Sequence, residues 1–317
     1  MIRAAVIGAG HFGREHARVY ANSERARLVA VCDINESNGR PVAERHGASF
    51  FTDYRDMAGG VDAVSLAVPT VSHRPIACEL LESGVAVLVE KPIARTLEEA
   101  DDIIAAAGRG GAVLQVGHLE RFNPALIAAA RVATRPRFFE AHRLSVFTPR
   151  SLDIDVVMDL MIHDIDVVLS LVESDVLEVR AAGVPILTPR IDIASARIEF
   201  RDGCVANLTA SRVSSERVRK LRFFQPHEYV SVDYSAQEAA TVAVRQSGEG
   251  GPAFESRSLA VERDEPLRLE IESFLAAVAG ARVEVGGAEG RRALALAAEV
   301  VERIREHAAR AGVSPGG

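Results

Sequence analysis

The sequence predicts an amino-terminal α/β domain built on a doubly wound parallel sheet, followed by an α+β domain with a large, mostly antiparallel open sheet. Two observations support this expectation. Through the first 120 residues, short apolar strands alternate with helical segments, which is the pattern of a parallel sheet. Between residues 177 and 261, candidate strands follow one another directly, and strands joined without a crossover helix pair antiparallel.

The bulk composition is that of an ordinary globular protein. The 317 residues are enough for two domains, which we expect at 1–120 and 121–317. The formal net charge of −7 argues against nucleic acid bound through a general basic surface. No apolar stretch approaches the roughly 18 residues that span a bilayer, and the three cysteines are scattered. We therefore expect a cytoplasmic protein without a nucleic-acid or membrane partner.

A glycine-rich turn connects the first predicted strand, residues 4–7, to a helix at 14–20. In its G-x-G-x-x-G spacing, the first glycine permits a tight turn, the second lets the backbone approach a pyrophosphate, and the third lets helix and strand pack closely. The free N–H groups at the start of the helix favour phosphate. An incidental glycine turn is the alternative. The predicted cofactor contacts in this turn are Gly8, Gly10, His11, Phe12 and Gly13.

Asp33 follows the second predicted strand, residues 28–32, and lies 20 residues beyond Gly13. That is the distance expected for the carboxylate that binds the adenosine ribose. Because a carboxylate there repels a 2′-phosphate, NAD is favoured over NADP. The sequence thus predicts that the first domain is an NAD-binding Rossmann domain.

The alternation of strands and helices continues to residue 117. Gly47 is the expected stop of one helix, and Thr96, with Glu99 at the capping-box position, is the expected start of another. The predicted helices are 36–46, 53–58, 74–83 and 97–107, and the predicted strands are 61–68, 85–92 and 113–116.

Three of these strands end in polar residues. Ligands of open α/β sheets bind beyond the carboxyl ends of the strands, so we expect the three ends to line one site. A lysine at the end of a buried strand suits proton transfer, and a solvated surface lysine is the alternative. The residues concerned are Pro69, Thr70, His73, Glu90, Lys91 and His118.

The second domain is expected to begin where residues 119–124 interrupt the alternation. Asn123 and Pro124 predict the cap and the first position of a helix that runs to residue 132. A strand is predicted at 137–147.

The next predicted helix, 155–172, carries Asp159, His163 and Asp166. Spacings of four and three place these side chains on one helix face. Polar groups on a mostly apolar helix are costly unless they are paired or used. A catalytic role, a satisfied buried pair and a solvated stripe are the interpretations left open.

The remaining residues predict an antiparallel sheet and two closing helices. Residues 201–203 have the Asp-Gly signal of a hairpin. The predicted strands are 177–184, 193–200, 204–213, 218–224, 229–233, 239–244 and 256–261; a glycine-rich turn is expected at 245–252, helices at 266–279 and 288–311, and a frayed tail at 312–317. A sheet with few covering helices favours a homo-oligomer formed through its open face.

The motifs together resemble the glucose–fructose oxidoreductase, inositol dehydrogenase and rhizopine catabolism (Gfo/Idh/MocA) family. The resemblance covers essentially the whole chain and is carried by the glycine turn, by Glu90-Lys91-Pro92, by Gly117-His118 and by the Asp159-x-x-x-His163 helix. It implies a Rossmann domain, an open-sheet domain and hydride transfer between a sugar or cyclitol alcohol and a nicotinamide cofactor, without metal.

Carried over residue by residue, the resemblance implies that Lys91, Asp159 and His163 are the catalytic group. Pro69, Thr70 and His73 match the loop that lines the cofactor, and Glu90, Lys91 and His118 are further expected cofactor contacts. The expected substrate contacts are Lys91, Arg121, Asn123, Asp159 and His163.

The chemistry agrees with this assignment. Oxidation of a secondary alcohol requires hydride departure and removal of the hydroxyl proton. Histidine titrates near neutral pH, so His163 suits the general base, with Asp159 orienting it. Lys91 then stabilises the developing alkoxide. Lys91 and His163 could exchange the roles of general base and alkoxide stabiliser, since the sequence favours neither arrangement.

The region around residues 117–124 and 158–166 is similar to the branch of the family that oxidises the 3-hydroxyl of UDP-N-acetylhexosamines before transamination, as in lipopolysaccharide or lipid A biosynthesis. A free-sugar or myo-inositol dehydrogenase, another keto-sugar or imine reductase, and a non-catalytic NAD-binding regulator are the alternatives. The branch implies a downstream aminotransferase, and we expect a homodimer or homotetramer.

A nucleotide sugar carries a diphosphate, so cations are expected in the second domain. The densest run, residues 217–222, is also explained as a solvated strand edge, and Phe223 with Phe224 is better explained as core than as a uracil platform. The candidate cations are Arg121, Arg143, Arg150, Arg212, Arg219, Lys220 and Arg222.

Overall fold

The computed structural model of the protein describes residues 1–57, 59–148, 154–247 and 251–312. The chain divides into two compact units. The first comprises Met1–Leu119 and Glu265–Leu294, and the second comprises Glu120–Asp264 and Ala295–Gly317. One boundary lies near residue 120, and residues 265–294 belong to the first unit.

The first unit contains a six-stranded parallel sheet with the strand order β3-β2-β1-β4-β5-β6. The order reverses between β1 and β4, the point at which doubly wound sheets bind ligands. The predicted fold class of this part is therefore confirmed. Its strands are β1 (Ile2–Ile7), β2 (Ala26–Cys32), β3 (Ser49–Phe51), β4 (Ala63–Leu66), β5 (Ala86–Glu90) and β6 (Leu114–Gly117).

The helices keep close to the predicted positions. Gly47 ends the second helix in the left-handed conformation, with φ of +66°. Thr96 caps the fourth, since the Glu99 N–H donates to its hydroxyl over 3.2 Å, but the Glu99 carboxylate accepts from Arg95 N rather than closing the box. The helices are α1 (His11–Ala21), α2 (Glu36–His46), α3 (His73–Glu82), α4 (Leu97–Gly110), α5 (Pro124–Ala130), α6 (Ile162–Leu171), α7 (Pro266–Val278) and α8 (Gly287–Ala311).

Two local predictions in the first unit need correction. The helix expected at 53–58 is a 3-10 turn, Tyr54–Met57, and Ala58 lies outside the described residues. Strand β3 was not predicted, because three residues are too few to establish a period.

The core of the first unit packs α7 against α1 and one face of the sheet. Ala17 and Tyr20 of α1 are buried with Ile271 and Phe274 of α7 in one apolar cluster. The central strands are buried on both faces, as parallel strands require. This packing brings a carboxyl-terminal helix beside the first βα unit.

The second unit contains an eight-stranded sheet with the order β14-β13-β12-β11-β7-β10-β9-β8. All neighbours pair antiparallel except β7 and β10, which are parallel. The mostly antiparallel sheet is thus confirmed. Its strands are β7 (Phe138–Leu144), β8 (Val176–Val184), β9 (Ile193–Phe200), β10 (Val205–Ser211), β11 (Val218–Gln225), β12 (Glu228–Asp233), β13 (Glu238–Ser247) and β14 (Gly251–Ser258).

The hairpin predicted at 201–203 is confirmed, with Gly203 at φ of +86° between β9 and β10. The final hairpin differs from the expectation. Strand β13 runs to Ser247 and β14 begins at Gly251, so most of the expected turn is strand. Residues 248–250 and the predicted tail at 313–317 lie outside the described residues.

The helix expected at 155–172 is not one regular helix. A π-helical segment, Val157–Met161, precedes α6. Such wide turns are found frequently at functional sites, and this one carries Asp159. Among the described residues, the helices include none that is both long enough and apolar enough for a membrane span.

Candidate active site

The glycine turn after β1 has the geometry of a phosphate cradle. Gly8 has φ of +91°, and a Cβ on it would lie 2.5 Å from the Ala67 carbonyl oxygen. A Cβ on Gly13 would lie 1.7 Å from the Gly8 carbonyl oxygen. A Cβ on Gly10 would meet no described atom within 4 Å. The outer two glycines are therefore required by close packing, and the middle one leaves open space for a ligand.

The amino terminus of α1 lies directly after this space. Gly10 is its N-cap, and within the described chain no side chain caps it. The first-turn N–H groups therefore remain available for an anion. His11 and Phe12 are exposed beside them, with ring centroids 5.7 Å apart in an edge-to-face arrangement.

Asp33 fixes the turn from the end of β2. Its carboxylate accepts hydrogen bonds from Ala9 N over 2.7 Å and from Asn35 N over 2.8 Å. Each oxygen keeps capacity for a further donor, so the ribose role expected of Asp33 is compatible with this geometry. Ile34 is 93% exposed beside it; the signal for it in the sequence was an apolar residue just beyond a strand end. These residues fit a dinucleotide.

The segment after β4 contributes one exposed and one buried part. Pro69 is exposed and Thr70 is half-buried. His73 is buried, with Nδ1 3.1 Å from the Pro92 carbonyl oxygen and Nε2 3.0 Å from that of Val68. Burial lowers the pKa of His73 against the opposing effect of these carbonyls. The geometry gives His73 the role of holding two loops together, and its contact with cofactor stays a prediction.

Glu90 is the last residue of β5, and Lys91 follows it directly. The Glu90 carboxylate lies 2.9 Å from His16 Nε2 and is 15% exposed. Lys91 is half-buried. Gly117 on β6 leaves room for the Glu90 side chain, since a Cβ there would lie 3.2 Å from Glu90 Oε2. The neighbouring His118 is buried, with 1% exposure.

In the second unit, the predicted polar residues are divided between the π-helical segment and α6. Asp159 lies in the π-helical segment and His163 in the first turn of α6, and both are half-buried. Asp166 is buried, with Oδ1 3.7 Å from Arg121 Nη1. Asp159 and His163 thus remain accessible within this unit, whereas Asp166 is placed to hold Arg121.

Asn123 has a capping role. Its Oδ1 accepts from Ala125 N over 3.1 Å, and its Nδ2 donates to the Tyr234 carbonyl oxygen over 3.1 Å. The side chain is 3% exposed. The predicted cap is confirmed, while the predicted substrate contact finds no support in this buried position.

Arg143 forms a buried ion cluster that the sequence did not reveal. It donates to both oxygens of Asp164 over 2.9 Å and to Glu120 over 2.7 Å. Burial opposes its charge, but the two carboxylates raise the pKa of Arg143 well above its ordinary value. Arg143 is therefore occupied and is not a diphosphate contact. The sequence signal was its place on the inward alternation of β7.

The other candidate cations lie in different environments. Arg212 is buried and donates to the Ile154 carbonyl oxygen. Lys220 Nζ lies 3.4 Å from Asp233 Oδ2, and Arg222 is exposed on the same side of β11. Arg150 lies outside the described residues. Strand β11 is interior to the sheet, so the dense run is not a strand edge.

Arg219 differs from this run because it faces the other side of β11, opposite Arg143 on β7. It is half-buried, and its guanidinium forms no hydrogen bond or ion pair among the described residues. Burial and the nearby charge of Arg143 lower the pKa of Arg219. An anionic ligand would relieve this cost. Phe223 is fully buried as expected, whereas Phe224 contacts Phe138 with ring centroids 6.0 Å apart.

Comparison with known proteins identifies the family of the chain. Residues 2–118 match the family described as "Oxidoreductase family, NAD-binding Rossmann fold", and residues 130–225 match the "GFO/IDH/MocA C-terminal domain". The chain is 39% identical over 305 residues to a UDP-N-acetylglucosamine 3-dehydrogenase of Acidithiobacillus ferrooxidans, covering 94% of this chain and 96% of the relative. A solved structure of a protein of that name from the same organism has a TM-score of 0.89 over 96% of this chain and 98% of that chain.

More distant relatives share the architecture. An inositol 2-dehydrogenase of Rhizobium meliloti is 26% identical over 324 residues, covering 96% of this chain and 97% of the relative. The WlbA dehydrogenase of Bordetella pertussis, solved in complex with NADH and UDP-GlcNAcA, has a TM-score of 0.82 at 19% identity over 96% of both chains. The latter likeness shows the fold.

The doubly wound sheet and the glycine cradle define a dinucleotide-binding fold, and the family match defines the class as an oxidoreductase. The chain belongs to the GFO/IDH/MocA family of NAD-binding oxidoreductases. The family resemblance and the NAD cofactor expected from the sequence are confirmed, and the protein is an NAD-dependent dehydrogenase.

Proposed function

We propose that the protein oxidises the 3-hydroxyl of a UDP-N-acetylhexosamine, with UDP-GlcNAc as the first candidate, to the 3-keto sugar. The observation that carries this proposal is the 39% identity, over 94% of the chain, to a protein named as a UDP-N-acetylglucosamine 3-dehydrogenase. A dehydrogenase named for inositol is more distant, at 26% identity. A polyol remains the second candidate.

The proposed catalytic residues are Lys91, His163 and Asp159. The bound NAD supplies the hydride acceptor. His163 removes the hydroxyl proton of the substrate, and Asp159 orients its ring. Lys91 donates a hydrogen bond to the same oxygen and stabilises the alkoxide as it forms. The half-buried setting of all three supports the assignment, because partial burial strengthens these interactions and still admits substrate.

The proposed cofactor contacts are the residues of the cradle and the strand ends. The phosphates are assigned to the N–H groups at Gly10 and the start of α1, and the adenosine ribose to Asp33. Exposed Ile34 is an added candidate for the adenine face. Thr70, Lys91 and His118 are assigned to the nicotinamide end.

Arg121 and Arg219 are the proposed substrate cations in the second unit. Arg121 is held by Asp166 at 3.7 Å yet remains half-buried rather than enclosed. Arg219 has no paired carboxylate among the described residues. A diphosphate suits such a guanidinium, because charge-assisted hydrogen bonds to phosphate compensate the cost of its burial.

The test is absorbance of reduced nicotinamide with NAD and, separately, UDP-GlcNAc, UDP-GalNAc, UDP-GlcNAc uronate, myo-inositol and glucose. A keto-trapping amine belongs in each assay, because the oxidation is expected to be uphill. A signal confined to the UDP-sugars supports the proposal. A signal confined to inositol or glucose contradicts it and supports the second candidate.

Two associations accompany this function. A 3-keto sugar is a substrate for transamination, so we propose that an aminotransferase consumes the product, in a cytoplasmic pathway.

We also propose a homodimer or homotetramer formed through the outer face of the large sheet, where Phe138, Phe224 and Tyr229 form an aromatic cluster among charged neighbours. A monomer by light scattering at micromolar concentration would contradict the oligomer.

A further inference from the structure

Three acid–base side chains from separate elements of the first unit meet in its interior. His16 comes from α1, Glu90 from the end of β5 and Glu270 from α7. One ring nitrogen and one oxygen of each carboxyl group all lie within 4.8 Å of one another. His16 is 0% and Glu270 is 1% exposed. We call these three residues the acid cluster.

A chain of hydrogen bonds connects the acid cluster to a buried tyrosine. Tyr20 OH lies 2.8 Å from Ser65 Oγ, which lies 2.9 Å from His16 Nδ1. His16 Nε2 lies 2.9 Å from Glu90 Oε1. Both ring nitrogens of His16 are thus occupied, and the chain ends on the carboxylate that precedes Lys91 in sequence.

Glu270 is held close to this chain without joining it. Its backbone oxygen accepts from Gln115 Nε2 over 3.1 Å, which fixes α7 against β6. Both of its side-chain oxygens are buried, and neither finds a hydrogen-bond partner among the described residues. An ionised carboxylate in that position would have neither solvent nor a donor and would face a second carboxylate.

The two carboxyl groups therefore differ in charge. Burial raises the pKa of Glu270 well above its ordinary value, and the charge of Glu90 raises it further. Burial also acts to raise the pKa of Glu90, but the hydrogen bond from His16 and the charges of His16 and Lys91 lower it instead. Glu270 is the neutral member and Glu90 the ionised one.

We propose that Glu270 is a positioning residue that stays protonated and so keeps a single negative charge on Glu90, shared between His16 and Lys91. The effect on catalysis acts through Glu90 and Lys91 and rests on the proposed role of Lys91. The alternative occupant of the acid cluster is a divalent cation. The contact between His16 and Glu90 favours a protonated cluster without a metal, since a metal would have to displace that contact.

The pH dependence follows from the charges that face Glu270. His16 and Tyr20 lie near it on α1, and Glu90 faces it from the end of β5, while Lys91 and His73 of α3 act on Glu90. The pKa of Glu270 is higher in the folded than in the unfolded state. Its contribution to stability is therefore complete in acid and is lost as the pH rises towards the folded pKa.

The test compares Glu270→Gln with wild type and with the control variant Glu272→Gln. Glu272 lies on the same helix, and its partly exposed carboxylate accepts a hydrogen bond from Ser23. Glutamine reproduces the shape of a neutral carboxyl group and does not titrate. We expect the urea midpoint of Glu270→Gln to rise relative to wild type between about pH 5 and about pH 8. Glu272→Gln should show no such trend.

Infrared spectroscopy supplies the direct readout. At about pH 8, wild type should show the band of a protonated carboxylic acid, and Glu270→Gln should lack it. In turnover, the alkaline limb of the kcat profile should move to higher pH by about one unit or more in Glu270→Gln. Glu270→Ala should lose turnover that glutamine restores.

Three results would overturn the proposal. One is the absence of the band in wild type, and another is an unchanged pH trend of stability in Glu270→Gln. The third is one equivalent of divalent metal in dialysed wild type that Glu270→Gln loses. The spectroscopic and unfolding measurements need no substrate. A failure of the proposed function therefore leaves them interpretable, and a failure confined to the kcat profile removes only the link to Lys91.

Discussion

Among the described residues, each unit contains a buried cluster of charged residues, and the two clusters offset the free-energy cost of burial in different ways. In the second unit, Arg143 pairs with Asp164 through two parallel hydrogen bonds and with Glu120 through a third. In the first unit, the Glu90 carboxylate contacts His16, while the carboxyl group of Glu270 has no hydrogen-bonding partner among the described residues. The first arrangement compensates its charges by geometry, and the second does so by retaining a proton.

The difference indicates different roles. A fully hydrogen-bonded ion cluster is rigid, so it fixes structure. It ties β7 to α6 at the residue next to His163. A pair of buried carboxyl groups that retains one proton responds to pH, and this pair lies beside the proposed catalytic Lys91. We therefore expect mutations in the two clusters to affect different measurements.

The largest effect is expected for Arg143→Ala. It leaves two buried carboxylates without their cation, which costs about 3–5 kcal/mol in the free energy of unfolding. Chemical denaturation measures this cost. The control is Arg197→Ala, whose pair with Glu199 is exposed and should contribute at most about 1 kcal/mol. Equal losses in the two variants would show that the buried cluster is not special.

Lys91→Ala should act on turnover rather than stability. We expect kcat to fall at least about a hundredfold with NAD affinity little changed, because alkoxide stabilisation is lost and the cradle is intact. His163→Ala should behave in the same way. Steady-state kinetics and NAD titration measure both, with exposed Arg109→Ala as control. Near-normal turnover in both variants would refute the assignment.

Ser65→Ala tests the hydrogen-bond chain behind Glu90. It removes the partner of Tyr20 OH and His16 Nδ1, and leaving buried polar atoms unpaired costs about 1–3 kcal/mol. Thermal or urea unfolding measures the loss. Ser170→Ala, at an exposed helix position, should change stability by less than about 0.5 kcal/mol. A neutral Ser65→Ala would mean that the chain contributes nothing to the acid cluster.

Local chemistry made much of the first unit predictable. The spacing of Gly8, Gly10 and Gly13 predicts a phosphate-binding turn, and the position of Asp33 predicts a ribose contact. Both predictions need only the backbone clearance and the charge at a strand end within one βα unit. The helix caps Gly47 and Thr96 could be predicted for the same reason. Each of these features depends on residues close together in sequence.

The features that sequence reasoning missed depend on contacts between distant segments. Glu270 meets Glu90 across 180 residues of sequence, and Arg143 meets Asp164 because α6 packs against β7. Arg143 was counted as a candidate for diphosphate because its charge is visible in the sequence and its partners are not. The π-helical turn before α6 was also not predicted, because the sequence pattern was interpreted with 3.6 residues per turn.

The most direct test of the proposed reaction uses UDP-GlcNAc that carries deuterium at C3. After incubation with NAD and a keto-trapping amine, the reduced nicotinamide is isolated and its deuterium content measured by mass spectrometry. The proposal predicts deuterium in the reduced cofactor from wild type and at least about a hundredfold less of it per unit time from Lys91→Ala. Reduced cofactor formed without deuterium would place hydride departure at another carbon and contradict the 3-dehydrogenase function.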